Sequence, residues 1–190
     1  MVSLFFLLLS KRRANVDCKH MERLSIRFAS EADIPLILEF IRDLAVYEDH
    51  LQHFEATEVR LREFLFGREP KAKALLAYDG DRPVGVAVYY YTFSTFAGLP
   101  GLYLEDLFVK PDARGGGVGR ALLSYLAKIA QAEKCWRIEW AVLHWNKTAI
   151  QFYKNLGAVV MDEWAVYRLS GEPLRRLAGE AENDSQSSRG

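Results

Sequence analysis

Leu102-Tyr103-Leu104-Glu105-Asp106-Leu107-Phe108-Val109, followed shortly by Arg114-Gly115-Gly116-Gly117-Val118-Gly119-Arg120, is the stretch on which the fold turns. The first run is apolar enough to be a buried strand. Beyond the second lies Ala121-Leu122-Leu123-Ser124-Tyr125-Leu126-Ala127-Lys128-Ile129-Ala130, made of helix formers with apolar residues at helical spacing. A strand, a glycine loop and a helix start aim several free backbone N–H groups and a helix dipole at one point, an arrangement suited to a phosphate. Glycine serves there because a Cβ blocks close approach and because such loops use φ > 0.

Two common phosphate loops are excluded. A Walker A loop ends in Gly-Lys-[Ser/Thr], whereas Gly119 is followed by Arg120 and Ala121. A dinucleotide fingerprint wants an acidic residue at the tip of a second strand, and Glu133 stands instead at the end of the helix. The spacing that fits is Arg-x-x-Gly-x-Gly, at Arg114, Gly117 and Gly119. It resembles the pyrophosphate loop of the GNAT superfamily, which binds acetyl-coenzyme A. Taken alone, the glycines favour a purely structural turn.

Further motifs occur in order: Tyr47-Glu48, Tyr89-Tyr90-Tyr91-Thr92-Phe93, Tyr103 to Val109, Trp145-Asn146, and Phe152-Tyr153-Lys154-Asn155-Leu156-Gly157-Ala158. Together they resemble the diamine branch of that superfamily, the spermidine/spermine and thialysine N-acetyltransferases, from about Leu24 to about Ala178. These motifs are specific for the family and much less so for the substrate.

Composition agrees with one domain. The chain has 190 residues, half of them apolar, enough for a sizeable core. Its 25 basic and 25 acidic residues cancel, which argues against nucleic acid as a partner. Cys18 and Cys135 form neither a disulfide framework nor a metal pattern, and Cys135, just before an apolar strand, reads as a small hydrophobe. His50 and His53 read as solvated loop histidines, so no metal is expected.

The apolar run Val2 to Leu9 is much shorter than the roughly 20 residues that span a bilayer. Lys11, Arg12 and Arg13 follow it, the reverse of the order in a secretory signal. Met21-Glu22-Arg23-Leu24-Ser25-Ile26-Arg27 reads as a natural beginning. Residues 1–20 are therefore expected to lie outside the fold, with 21–179 the acetyltransferase domain and 180–190 a polar, disordered tail. Without residues 1–20 there are 21 bases against 24 acids, a net of −3 that suits a cationic substrate, although steering of that size is weak in physiological salt. A cytoplasmic protein with no membrane partner is expected.

Strands and helices interleave. Strands are expected at Leu24–Phe28, Lys73–Tyr78, Pro83–Phe93, the motif strand, Arg137–Leu143, and a closing pair around Val159–Met161 and Ala165–Leu169. Asp79-Gly80-Asp81-Arg82 joins two of them as a hairpin turn, and Ser94–Gly101 reads as a loop. Helices are expected after the Ser30/Asp33 cap to Tyr47 with Pro35 in the first turn, from Thr57 to Phe66, after the glycine loop, from Lys147 to Leu156, and from Glu172 to Ala178. The architecture is an α/β/α sandwich around a mixed, mostly antiparallel sheet; the resemblance adds that this sheet is centrally splayed.

The resemblance implies the site. The main chain of Leu107, Phe108 and Val109 would pair with pantetheine as an added strand does. The backbone of Gly115, Gly116, Gly117, Val118, Gly119 and Arg120 would hold the pyrophosphate. Arg114 would either contact phosphate or sit solvated at the loop edge. Asn146 would cap the helix beginning at Lys147, and this region, with Thr148, Ala149 and Tyr153, would touch the cofactor. The family is usually a homodimer.

Amine acetylation asks for three things. The acceptor is mostly ammonium at pH 7, so a base must take its proton. Glu105, matching the family's substrate-binding glutamate, is the candidate. Two-residue alternation sends Asp106 to the opposite side unless a bulge intervenes. Tyr153, which matches the family's acid, would protonate the departing thiolate. Backbone N–H groups near Phe108 would polarise the thioester carbonyl. No activated cysteine or serine stands beside a base, so transfer is expected to be direct.

Tyr47, Glu48, Glu105, Glu139, Trp140 and Ala141 match positions that contact the amine. Polyamine-acting members carry an acidic residue and a tryptophan where this chain has Ser94-Thr95-Phe96. With fewer carboxylates, a lysine analogue or small diamine gains over a long polycation. The alternatives are another acceptor, such as a protein N-terminus or an aminoglycoside, and a non-catalytic acyl-CoA-binding module.

Overall fold

The structure is a computed structural model and describes residues 23–187. The expected extension at residues 1–20 lies outside the described residues, as do positions 188–190 of the expected tail. The chain divides into two compact units, residues 1–141 and 142–190, and the domain expected over residues 21–179 spans both.

In the first unit β1 (Leu24–Phe28), β2 (Lys73–Asp79), β3 (Arg82–Ser94), β4 (Leu99–Val109) and β5 (Ile138–Trp140) form one sheet in that order. The β1–β2, β2–β3 and β3–β4 pairs are antiparallel and β4–β5 is parallel, the mixed sheet anticipated. Helix α1 (Ile34–Tyr47) covers one face. Its buried Ile34, Ile37 and Phe40 form a stripe, and the last two pack with Ala74, Leu76, Val86, Val88 and Phe108. A short α2 (Glu58–Leu61), capped by Thr57, widens into a π turn over Arg62–Phe66. It stops at Gly67, where a Cβ would overlap the Glu63 carbonyl at 2.3 Å. Helix α3 (Val118–Ala132) covers the other face, with Leu122 and Leu126 fully buried. Phe28 there meets Tyr125 edge-on, with ring centroids 6.0 Å apart.

The entry to α1 follows the sequence pattern closely. Ser30 N–H and Oγ–H both donate to Asp33 Oδ2 at 2.7 Å. Arg27 adds a bidentate fork to the same carboxylate, 2.7 Å on each arm. That hydrogen bonding holds the Asp33 carboxyl well below the usual range.

Four elements differ from expectation. Ser94–Gly101 is not a loop: β3 and β4 continue to Ser94 and Leu99 around a tight turn. There Ser94 Oγ accepts from Ala97 N–H at 3.2 Å. Gly101 lies inside β4 opposite Thr92, where a Cβ would come 2.6 Å from Thr92 Oγ1, so it is a packing glycine. The strand expected over Arg137–Leu143 is only Ile138–Trp140.

In the second unit α4 (Lys147–Asn155) begins where expected, with Ala149 N–H donating to the capping Asn146 Oδ1 at 3.2 Å. The closing strand pair around Val159–Met161 and Ala165–Leu169 does not form; this stretch has no regular structure, and Val166 and Tyr167 are 93% and 94% exposed. Apolar alternation supplies side chains for a strand, but a strand also needs a partner for its backbone groups. The last helix, α5 (Gly171–Ser187), outruns Glu172–Ala178 and makes the first part of the expected tail helical. Glu, Ala and Gln are good helix formers, and no proline interrupts them. No helix among the described residues is long and apolar enough to cross a membrane.

Candidate active site

β4 has two different halves. From Leu102 to Leu104 it is paired on both sides, to β3 and to Ile138–Trp140 of β5. Beyond Leu104 it continues along β3 to Val109, and β5 no longer accompanies it. The sheet is thus splayed, and one edge of β4 is left open. Lys110 N–H donates to Val84 O at 2.9 Å. Alternation from that bond turns the main chain of Phe108 into β3 and presents that of Leu107 and Val109 at the open edge. Phe108, expected to offer its backbone with its neighbours, is therefore committed to the ladder. The Val109 carbonyl already accepts from Arg114 Nε at 3.0 Å.

Arg114 is exposed at the loop edge, and its side chain is held there by contacts. Its guanidinium lies 4.5 Å over the Tyr47 ring and 5.6 Å from that of Phe108, which ties the end of α1 to the end of β4. In the loop, Gly115 (φ 79°) and Gly117 (φ 84°) take the left-handed conformation. A Cβ on either would meet nothing within 4 Å, so the space in front of the loop is open and the demand is conformational. Gly117 precedes α3, and the first bond into the helix runs from Ala121 N–H to Gly117 O at 2.9 Å. The N–H groups of Val118, Gly119 and Arg120 come before it, which leaves them for an anion. Those of Gly115 and Gly116 adjoin them.

The β3–β4 register holds a feature that the residue pattern hides. Val88 pairs with Asp106 and the next residue, Tyr89, pairs with Leu104, so Glu105 is an extra residue in a β-bulge. Strict alternation would have sent Glu105 and Asp106 to opposite faces. The bulge instead puts Asp106 on the face that α1 covers, in register with Val88, and Glu105 joins it there. Glu105 is exposed. Its charge acts on Tyr90 and Tyr103, which stack on that face with centroids 5.2 Å apart, and burial and Glu105 together raise both phenols. Asp106 is largely withdrawn from water. Burial first, then the charges of Glu105 and of Glu48 at the end of α1, push its carboxyl up to about 6. Such a carboxylate can accept a proton near neutral pH.

On β5, Glu139 pairs in register with Tyr103 and so shares the face of Glu105. Its carboxylate lies 2.6 Å from Arg137 Nε. Trp140, paired with Leu104, belongs to the opposite face, and Ala141 follows the strand as an exposed residue. The structure therefore brings Tyr47, Glu48, Glu105 and Glu139 to one face and separates Trp140 from them. Alternation along a three-residue strand separates neighbours, and no bulge rescues Trp140 as one rescues Asp106. In the second unit, α4 carries Lys147, Thr148, the half-buried Ala149 and Tyr153, whose ring lies 5.3 Å from that of Phe152.

Asp106, Tyr90, Tyr103 and Arg137 escaped the sequence reading. The run Tyr89-Tyr90-Tyr91 marked the region, but only the register assigns its middle ring to the acidic face.

Residues 38–158 match the family described as Acetyltransferase (GNAT) family. The thialysine N-epsilon-acetyltransferase of Sus scrofa is 38% identical over 170 residues, which cover 84% of this chain and 99% of that protein. The Homo sapiens spermidine/spermine N(1)-acetyltransferase-like protein 1 is 33% identical over 84% of this chain and 24% of its own length. Among solved structures, an integron cassette protein from the mobile metagenome of V. cholerae superposes with a TM-score of 0.70 at 30% identity, covering 82% of this chain and 98% of its own.

Proposed function

This chain belongs to the GNAT acetyltransferase family and is an N-acetyltransferase of small amines, and we propose that it acetylates the terminal amine of a lysine-like amino acid, thialysine being the model acceptor. The observation that carries the proposal is the bulge at Glu105, which gathers two carboxylates on one face beside the open edge of β4. Acetyl-CoA supplies the thioester whose acetyl group is transferred.

The open edge and the loop fit that co-substrate. Leu107 and the N–H of Val109 are available to amides laid alongside β4. The left-handed glycines and the first N–H groups of α3 suit a pyrophosphate. Arg114 braces this corner through Val109 and Tyr47.

Glu105 receives the acceptor as an ammonium ion, and Glu48 adds to the negative field. Neutral amine is needed for attack, and Asp106, beside Glu105, takes the proton. Asp106 is poised for it, since its carboxyl titrates at about 6. Tyr153 serves as the acid that returns a proton to the leaving thiolate, as the family likeness suggests. Cys135 is no competing nucleophile: burial and the nearby Glu133 raise its thiol, keeping it protonated, which supports direct transfer. The homodimer and the cytoplasmic setting belong to this proposal too, and light scattering tests the first.

The test is a panel of amines with acetyl-CoA, followed by thiol release and product mass. Thialysine and lysine should be acetylated once, on the terminal nitrogen, ahead of spermidine, a peptide and an aminoglycoside. Coenzyme A binding without turnover of any amine would replace the reading with that of a binding module.

A further inference from the structure

The face that carries Glu105 also carries a cation, and nothing in an enzyme for diamines explains it. Three rows of side chains cross that face. Asp106 and the bulged Glu105 adjoin Val88, Tyr90 and Tyr103 stack beside Glu139, and Thr92 and Gly101 lie beside Arg137. The arginine stem passes over Gly101, where a Cβ would come into ordinary contact with Arg137 Cγ at 3.6 Å. The guanidinium lies 4.6 Å over the Trp136 ring, which fixes its plane.

Arg137 Nε stands 2.6 Å from Glu139 Oε2, yet the atom is buried without a properly directed hydrogen bond. The two side chains are each 35% exposed. They are thus in contact as charges, and each side chain keeps a solvent-accessible part. An acid and a base held side by side with open valence match the ammonium and carboxylate of an amino-acid head group.

Separation agrees with this. Tyr103, which pairs with Glu139, lies two residues before Glu105 on β4, about 7 Å at the usual strand rise. Arg137 Nε meets Glu139 from the neighbouring row. A lysine-length side chain places its terminal nitrogen roughly 7–8 Å from its head group.

We propose that Arg137 and Glu139 bind the α-carboxylate and α-ammonium of the acceptor while its terminal amine lies at Glu105, so that the pair selects amino acids over di- and polyamines. The inference rests on the acetyltransferase reading above. A polyamine has no anion for the guanidinium and brings a second cation toward it, while Glu139 is already partly neutralised. An amino acid satisfies both charges, and the fork of Arg137 suits a carboxylate bidentately.

The experiment compares thialysine with its decarboxylated counterpart, bis(2-aminoethyl) sulfide, in the full-length enzyme with acetyl-CoA. The two differ only in the carboxylate. The ratio of their kcat/KM values is measured for the wild type, Arg137→Gln, Arg137→Lys and Glu139→Gln; the ratio cancels any difference in folded fraction. The wild type should prefer thialysine. Arg137→Gln should cut that preference roughly 10- to 100-fold, by raising KM for thialysine and, with the repulsion gone and Glu139 released, lowering it for the diamine. Arg137→Lys should recover part of it, and Glu139→Gln should weaken both substrates. Equal losses for both substrates in Arg137→Gln, an unchanged ratio, or a wild type that favours the diamine would each overturn the inference while leaving the acetyltransferase intact. Turnover of neither compound by the wild type would overturn the proposed function itself, and the inference with it.

Discussion

The two halves of β4 are nearly alike in composition and opposite in use. Leu102 and Leu104 are buried at 0% and 2% exposure, with a strand on either side. Leu107 to Val109 keep β3 alone, and immediately before them the strand takes in an extra residue. Stability is concentrated where the ladder is complete, and binding capacity where it is left incomplete. An unpaired edge is ordinarily a hazard for a sheet; here it lies next to the glycine loop and the acids, where the proposed function lays the co-substrate.

That contrast is open to direct attack. The largest effect should come from Glu105→Gln in the open half. kcat/KM for the acceptor should fall by roughly 10²- to 10⁴-fold, while the melting temperature hardly moves because the side chain is exposed. Activity within tenfold of wild type would remove Glu105 from the chemistry. Leu102→Ala in the closed half should do the reverse. Chemical denaturation should show a loss of about 2–5 kcal/mol, with coenzyme A affinity of the folded protein unchanged. A clear drop in that affinity would show that the halves are not separable.

Asp106→Asn sharpens the boundary between them. The carboxyl titrates at about 6 in the fold against 3.8 as a free group, so ionising it opposes folding. The associated stability is fully present below 3.8 and is lost as pH rises through about 6. The asparagine variant should therefore be more stable than wild type at pH 7, by roughly 1–3 kcal/mol, and the gain should vanish near pH 3.8. Its rate profile should also lose the acid limb near 6. A stability difference that is flat with pH would deny Asp106 that titration.

The order of strands and helices was legible because each signal was local. Ser30 and Asp33 announce α1, Gly80 the β2–β3 turn, and Asn146 the start of α4. What escaped was set by pairing. Pro100 and Gly101 look like loop residues until Thr92 is seen to need a neighbour without a Cβ. The apolar alternation around Val159 and Val166 looks like strands, yet no ladder partner follows from it. The same limit shaped the site. Glu105 and the glycine loop were legible from spacing, whereas Asp106 and Arg137 owe their positions to a register that no single segment specifies.

The bulge also has an evolutionary arithmetic. Because Leu104 and Asp106 pair with consecutive residues of β3, the ladder reads continuously as though Glu105 were not there. A chain shorter by that one codon would keep every cross-strand partner, lose a single carboxylate, and fold as an ordinary strand. The bulge thus adds a carboxylate by lengthening the strand, in a place where the extra residue displaces no cross-strand partner.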